Sequence, residues 1–118
     1  MEGKSEFIKR VTLDNRILLL LRSHIEDQDL MTVDDILTQG GMSKKFQVRR
    51  NNITRAISDL SANGLIYSRT KHISGFGRRR KAYFLTDPGL RKADEIADSL
   101  KKKLVYVTLE DGKRVEWK

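Results

Sequence analysis

The sequence has no cysteine, one proline and only two histidines in 118 residues. Without cysteine there is no disulfide framework, no thiol nucleophile and no Cys-ligated zinc. His24 and His72 share no spacing that suits a metal or a catalytic pair. Long apolar runs are missing too. The longest, Ile17-Leu18-Leu19-Leu20-Leu21, falls far short of the about 20 residues a membrane-spanning helix needs. Met1-Glu2-Gly3-Lys4-Ser5-Glu6 lacks the apolar core of a signal peptide. A cytoplasmic setting with no membrane contact is the expectation. A Walker-type glycine loop and an EF-hand ladder are absent. Asp34-Asp35 and Glu110-Asp111 are adjacent carboxylates with no His or Lys arranged around them. The chain therefore reads as a non-enzyme with no cofactor and no metal site.

What is present is enough for one domain, with or without a small appendage. Hydrophobic residues make up 38%, including four Phe, three Tyr and one Trp, which can anchor a core. The feature far from average is charge: 24 Lys and Arg against 16 Asp and Glu, a net +8. A balance of that size points to a polyanionic partner, nucleic acid or an anionic surface. It is also concentrated. Residues 44 to 81 hold Lys44, Lys45, Arg49, Arg50, Arg55, Arg69, Lys71, Arg78, Arg79, Arg80 and Lys81 against the single acid Asp59, a net +10. The rest of the chain is left with −2. A charge run often marks no more than a solvated face, but here the basic residues sort onto two particular elements.

Residues 1–11 carry no period and read as a flexible arm. Thr12 is suited to cap a helix running to about Ile25. Its five consecutive apolar residues exceed what one helix face buries, so either the helix is central or its far side meets a partner. Glu26 to Asp29 reads as a polar turn, Leu30 to Val33 as a short strand, and Val33 to Leu37 as a helical turn. Thr38 can cap a short helix that holds Gly40 and Gly41. After a turn at Gln47-Val48, residues 49 to 63 form an amphipathic helix, with Ile53, Ala56, Ile57 and Leu60 on one face. Asn63-Gly64 stops it. Residues 65–73 read as a strand, Ser74 to Gly77 as a turn, and Ala82 to Leu85 as a second strand. Thr86-Asp87-Pro88 starts a helix that carries Leu90, Ala93, Ile96, Ala97 and Leu100 and closes on Lys101-Lys102-Lys103. Leu104 to Glu110 and Lys113 to Lys118 flank Asp111-Gly112, a strong hairpin signal.

This order of helices, turn, helix, strand, basic turn, strand and helix resembles a winged helix-turn-helix DNA-binding domain. Met42, Phe46, Val48, Ile53 and Ala56 match the motif's apolar pattern. The resemblance implies that Met42 and Phe46 pack the first motif helix, Val48 plugs the turn, and Ile53 and Ala56 seat the recognition helix. Val48 to Ile57 is similar to the turn and following helix of many prokaryotic regulators. Arg78 to Thr86 looks like the wing and third strand of archaeal members, some of which sit at the head of a large ATPase. The resemblance covers residues 12–103, with 104–118 as a β-hairpin appendage outside it. The expected fold is α+β, mainly α: a three-helix core, a two- to three-stranded wing sheet and a C-terminal helix. One position departs from the pattern. The turn residue that is often Gly is Gln47, so either it adopts positive φ at roughly 1–2 kcal/mol or the turn is wider.

The helix surface offers side chains that suit the major-groove code. Asn51, Asn52, Thr54 and Arg55 are base-edge candidates, and Arg49 and Arg50 suit bases or phosphates. Lys44, Lys45, Ser58, Lys71, Arg78, Arg79, Arg80 and Lys81 are the phosphate and wing candidates. A glycine-flanked loop can splay Arg78, Arg79 and Arg80, and one Arg can enter a narrow minor groove. Tyr83 and Phe84 suit core or strand pairing better than base stacking, and His72 reads as a strand residue. These features imply a sequence-specific binder of double-stranded DNA, a transcriptional regulator. A homodimer is expected, because symmetric dimers read palindromic operators. Leu18, Leu19 and Leu21, or the C-terminal helix, are the candidates for its interface. The alternative is an adaptor domain of a larger protein. Val105, Val107, Leu109, Val115 and Trp117 motivate it, since they give a hairpin more apolar surface than it buries alone. Structured RNA fits less well, because its deep, narrow major groove does not admit a helix.

Overall fold

The computed structural model describes residues 11–110. The proposed arm, apart from Val11, and the segment after Glu110 lie outside the described residues. Among the described residues, four α-helices and two 3₁₀ turns surround a small sheet. Helix α1 spans Leu13–Ser23, and a 3₁₀ turn follows at Ile25–Asp29. Strand β1 is Thr32–Val33, and a second 3₁₀ turn is Asp35–Leu37. Helices α2 (Gln39–Phe46) and α3 (Arg50–Ala62) form the helix-turn-helix pair. Strands β2 (Ile66–Ile73) and β3 (Arg79–Leu85) form the wing, and α4 is Asp87–Glu110.

Local chemistry sets these boundaries. The Thr12 hydroxyl accepts from the Asn15 amide at 3.2 Å, which caps α1. Asp34 caps the second 3₁₀ turn, and Thr38 caps α2 through the Gly41 amide at 3.1 Å. The Thr86 hydroxyl accepts from Gly89 N–H at 3.1 Å and so opens α4. Gly64 ends the α3 segment at φ 72°. Between α2 and α3 the turn is short, because Gln47 takes the left-handed conformation at φ 56°, ψ 48°. Val48 then closes the turn: its amide donates to Ser43 O at 3.2 Å, and its carbonyl accepts from Ser43 Oγ at 2.6 Å.

The sheet order is β1-β2-β3. β1 runs parallel to β2, with Thr32 opposite His72, and β2 runs antiparallel to β3, with Ile66 opposite Leu85 and His72 opposite Arg79. One core joins all layers: Ile17, Leu18 and Leu21 of α1, Leu37, Met42 of α2, Ile53 of α3 and the buried residues of β3. Phe46 and Val48 are half-buried against it. α1 is therefore the central helix. Leu18 and Leu21 are each only 1% exposed, which removes them as interface candidates; Leu19 remains half-buried. An Arg22–Asp94 ion pair at 2.7 Å ties the exposed sides of α1 and α4. No helix among the described residues is long and apolar enough to cross a membrane.

Two expectations are corrected. First, the last helix does not close at Lys101 to Lys103, and Leu104 to Glu110 is not a strand: α4 continues through Glu110. In the sequence Leu90, Ala93, Ala97, Leu100, Leu104 and Val107 recur at alternating intervals of three and four, a helical period. Extending a nucleated helix costs far less than starting a lone two-stranded hairpin. The Asp111-Gly112 turn and the second strand fall outside the described residues. Second, β3 starts at Arg79, three residues before the expected strand, because pairing with β2 reaches back to His72.

Candidate nucleic-acid interface

The apolar stripe of α3 fixes which way its polar residues point. Ile53, Ala56, Ile57 and Leu60 are buried in the core. By helical spacing Asn51, Arg55 and Ser58 share the outermost line. Arg50 and Thr54 lie on one flank, and Asn52 and Asp59 on the other. All seven are exposed. Arg49 is the N-cap residue and is also exposed. The sequence-based candidates of this helix thus share one solvent-facing surface.

On the first flank the side chains are linked. Gln39, the first residue of α2, donates from Nε2 to the Tyr83 hydroxyl of β3 at 3.0 Å. Its Oε1 accepts from Thr54 Oγ1 at 2.8 Å and from Arg50 Nε at 3.4 Å. One amide thus joins α2, α3 and the wing strand. Thr54 also lies 3.1 Å from the Arg50 carbonyl, so its hydroxyl has partners within the protein. Neither Gln39 nor Tyr83 is a site candidate by sequence. A Gln at a helix start carries no local signal, and only the fold brings it beside a strand 44 residues away.

A cleft of about 320 Å³ lies beside this linkage, lined by Thr38, Gln39, Gly40, Arg50, Arg80, Lys81 and Tyr83. On the second flank another cleft of about 320 Å³ is lined by Leu13, Asp14, Val48, Asn52, Arg55, Ala56 and Asp59. There burial, and then the neighbouring Asp59, push the Asp14 carboxyl above its ordinary pKa, partly offset by a backbone hydrogen bond.

The wing differs from its expectation. Of the Arg78 to Lys81 run, only Arg78 lies in the connecting turn; Arg79, Arg80 and Lys81 are strand residues. Strand alternation, not loop splay, separates them: Arg79 and Lys81 share a face with Tyr83, and Arg80 takes the other. Gly75 (φ 85°) and Gly77 (φ 66°) shape the tip. Phe76 between them is 45% exposed, with the Arg80 guanidinium 5.5 Å from its ring centre. Lys71 turns inward. Its Nζ donates to the Gln28 carbonyl at 2.9 Å and lies 5.6 Å from the Phe84 ring centre. Lys44 and Lys45 are exposed in the last turn of α2. Tyr83 and Phe84 are buried, and His72 is an exposed strand residue. Among the described residues no group of three or more His, Asp or Glu is placed to hold a metal ion.

No family model and no curated protein matches the chain. Solved structures do. A point mutant of Lactococcus lactis ZitR superposes with TM-score 0.67 at 21% identity, covering 88% of this chain and 62% of that one. The chain thus spans less than two thirds of that ZitR chain. A ZitR double mutant in apo form gives TM-score 0.68 at 22% identity, over 93% of this chain and 74% of that one. MepR is described as a transcription regulator of the Staphylococcus aureus multidrug efflux pump MepA. It gives 0.63 at 19% identity, over 92% and 70%. The S. aureus MepR–DNA complex gives 0.61 at 19% identity, over 94% and 81%. This likeness shows the fold: the chain is a winged helix-turn-helix domain, α+β and mainly helical.

Proposed function

We propose that this chain binds double-stranded DNA sequence-specifically and acts as a transcription regulator. The observation that carries the reading is the +10 stretch of residues 44–81, which supplies α3 and the wing of this fold. MepR of the same fold has been solved with DNA. In this reading α3 enters the major groove, with Asn51, Asn52 and Arg55 at base edges. Arg49, Arg50, Lys44, Lys45 and Ser58 meet bases or backbone. Arg78 and Arg79 of the wing meet phosphates or the minor groove. Thr54 and Lys71, with partners inside the protein, contribute less.

The test is fluorescence anisotropy on a random-sequence duplex between about 50 and about 200 mM salt. Contact with about six phosphates lowers the affinity about a thousandfold over that range. No binding at the lowest salt overturns the reading and leaves an adaptor domain of a larger protein. That adaptor reading has lost part of its motive, since Leu104 to Glu110 is helical and forms no hairpin strand.

A homodimer joined through α4 accompanies the DNA reading. At 1.5 Å per residue α4 is about 36 Å long and α1 about 16 Å, so α1 covers less than half of it. Two-fold symmetry would present two α3 helices to successive major grooves. Sedimentation equilibrium giving a monomer at micromolar concentration would overturn it.

A further inference from the structure

We propose that the cleft between α2, α3 and β3 is a seat for one phosphate group, shared by Arg50 and Lys81. This deepens the DNA-binding reading and rests on it. Arg50 comes from the first turn of α3 and Lys81 from the edge strand of the wing; both line the cleft, and both are exposed. Lys81 lies two residues before Tyr83, so the two occupy one face of β3. That is the face whose Tyr83 hydroxyl meets Gln39 across the cleft. Arg50 is held from the opposite wall. Its Nε donates to Gln39 Oε1, and its Nη1 lies 3.7 Å from where a Cβ on Gly40 would sit. Arg80 lies at the cleft's edge but carries its guanidinium on the other face of β3, against Phe76, and no carboxylate lines the cleft. Cations gathered on a polar cleft repel one another until an anion sits between them. A tetrahedral phosphate with several acceptor oxygens can satisfy a guanidinium and an ammonium together.

The geometry makes a distinctive prediction. A side chain that neutralises one phosphate contributes about one to the slope of log affinity against log salt. If Arg50 and Lys81 held separate phosphates, Arg50→Ala with Lys81→Ala would lower that slope by about two. Sharing one seat, the double variant lowers it by only about one, since a single phosphate loses its neutralisation. Their affinity losses on a random duplex are then less than multiplicative.

The experiment is this double-mutant cycle by anisotropy, with melting curves showing that the surface variants fold. A second arm titrates inorganic phosphate against chloride at matched ionic strength and follows the amide resonances of Gly40 and Tyr83. Shared slope loss together with phosphate-specific shifts means that the seat takes free phosphate as well as the DNA backbone. Shared loss without such shifts makes the backbone the source. A loss of about two, or no change in the double variant, overturns the proposal. If the wild-type chain binds no duplex, the DNA reading fails by itself and the phosphate arm alone decides. Shifts that vanish in the double variant support the seat, and their absence overturns it.

Discussion

Viewed down its axis, α3 has two flanks of opposite chemistry. On the wing side, the Gln39 amide ties Arg50 and Thr54 to Tyr83 beside a cleft lined by two cations on this face, Arg50 and Lys81. On the α1 side, Asn52 and Arg55 line a cleft with two carboxylates, Asp14 and Asp59. A phosphate is attracted to the first flank and repelled from the second. The difference gives the helix a preferred lean on a polyanion. In the proposed DNA-binding reading, its wing flank meets the backbone, and Asn51 and Arg55 of its outer line meet the bases.

The wing flank depends on where α2 starts, and one glycine sets that. A Cβ on Gly41 would lie 1.9 Å from the Asp35 carbonyl oxygen, a backbone atom that cannot turn aside. Gly41→Ala must push α2 off the preceding turn and carry Gln39 with it. We expect a loss of about 3 kcal/mol, read from the denaturant midpoint. Gly40, next in the chain, has only ordinary contacts at that point. Gly40→Ala should instead stabilise by up to about 1 kcal/mol. Equal effects at both sites would mean that close packing of α2 does not set the flank.

The outer line and the wing separate under mutation. Arg55→Ala should cost about 2 kcal/mol of preference for a cognate site and spare random DNA. Arg79→Ala should weaken both alike and reduce the salt slope by about one. The measurement is the ratio of specific to random-duplex affinity in each variant. Equal weakening by Arg55→Ala on both duplexes would take base reading away from the outer line.

Gln47 controls the angle between α2 and α3, and so both flanks at once. Its φ of 56° is tolerated by glycine without the clash of a Cβ. Gln47→Gly relieves roughly 1–2 kcal/mol of strain but gives the unfolded chain more freedom. The net expectation is a gain of about 1 kcal/mol by chemical denaturation, with DNA selectivity unchanged. A loss of stability would show that the Gln47 side chain contributes more than its backbone strain costs.

These contrasts show which parts of the molecule are legible in one dimension. Thr12, Thr38 and Asn63-Gly64 announce helix ends because caps act over three or four residues. The buried stripe of α3 follows from its period, and with it the exposed candidates Asn51, Asn52 and Arg55. What stayed hidden depends on partners distant in sequence. β3 lengthens to Arg79 because β2 offers it a ladder. Lys71, exposed by alternation alone, finds a carbonyl at Gln28. Leu18 and Leu21 look surplus on an isolated helix and are core once α1 is surrounded. The local Asp111-Gly112 signal suggests a hairpin, yet the residues before it continue a helix already nucleated at Thr86. Gln39 joins three elements and has no pattern of its own.

The smallest expected effect tests the acidic flank. Burial and Asp59 raise the Asp14 pKa above the ordinary 3.8, so the folded protein binds that proton more tightly than the unfolded chain does. The sign follows from linkage. Above the folded pKa the ionised Asp14 opposes folding. As pH falls through the folded pKa, that cost is relieved, and the relief is complete below the unfolded value. Asp14→Asn should therefore flatten this part of the stability curve between about pH 7 and about pH 3. Its advantage over the native protein should be greatest at neutral pH and fade toward acid. Asparagine also gives up an anion's favourable place in the first turn of α1. The slope of the urea midpoint against pH is therefore the readout, not its absolute value. Asp59→Asn should flatten the same region by less, because Asp59 is the second cause of the shift and burial the first. If neither substitution changes the slope, the two carboxylates do not sense each other, and the α1 flank of α3 opposes a polyanion by sign alone.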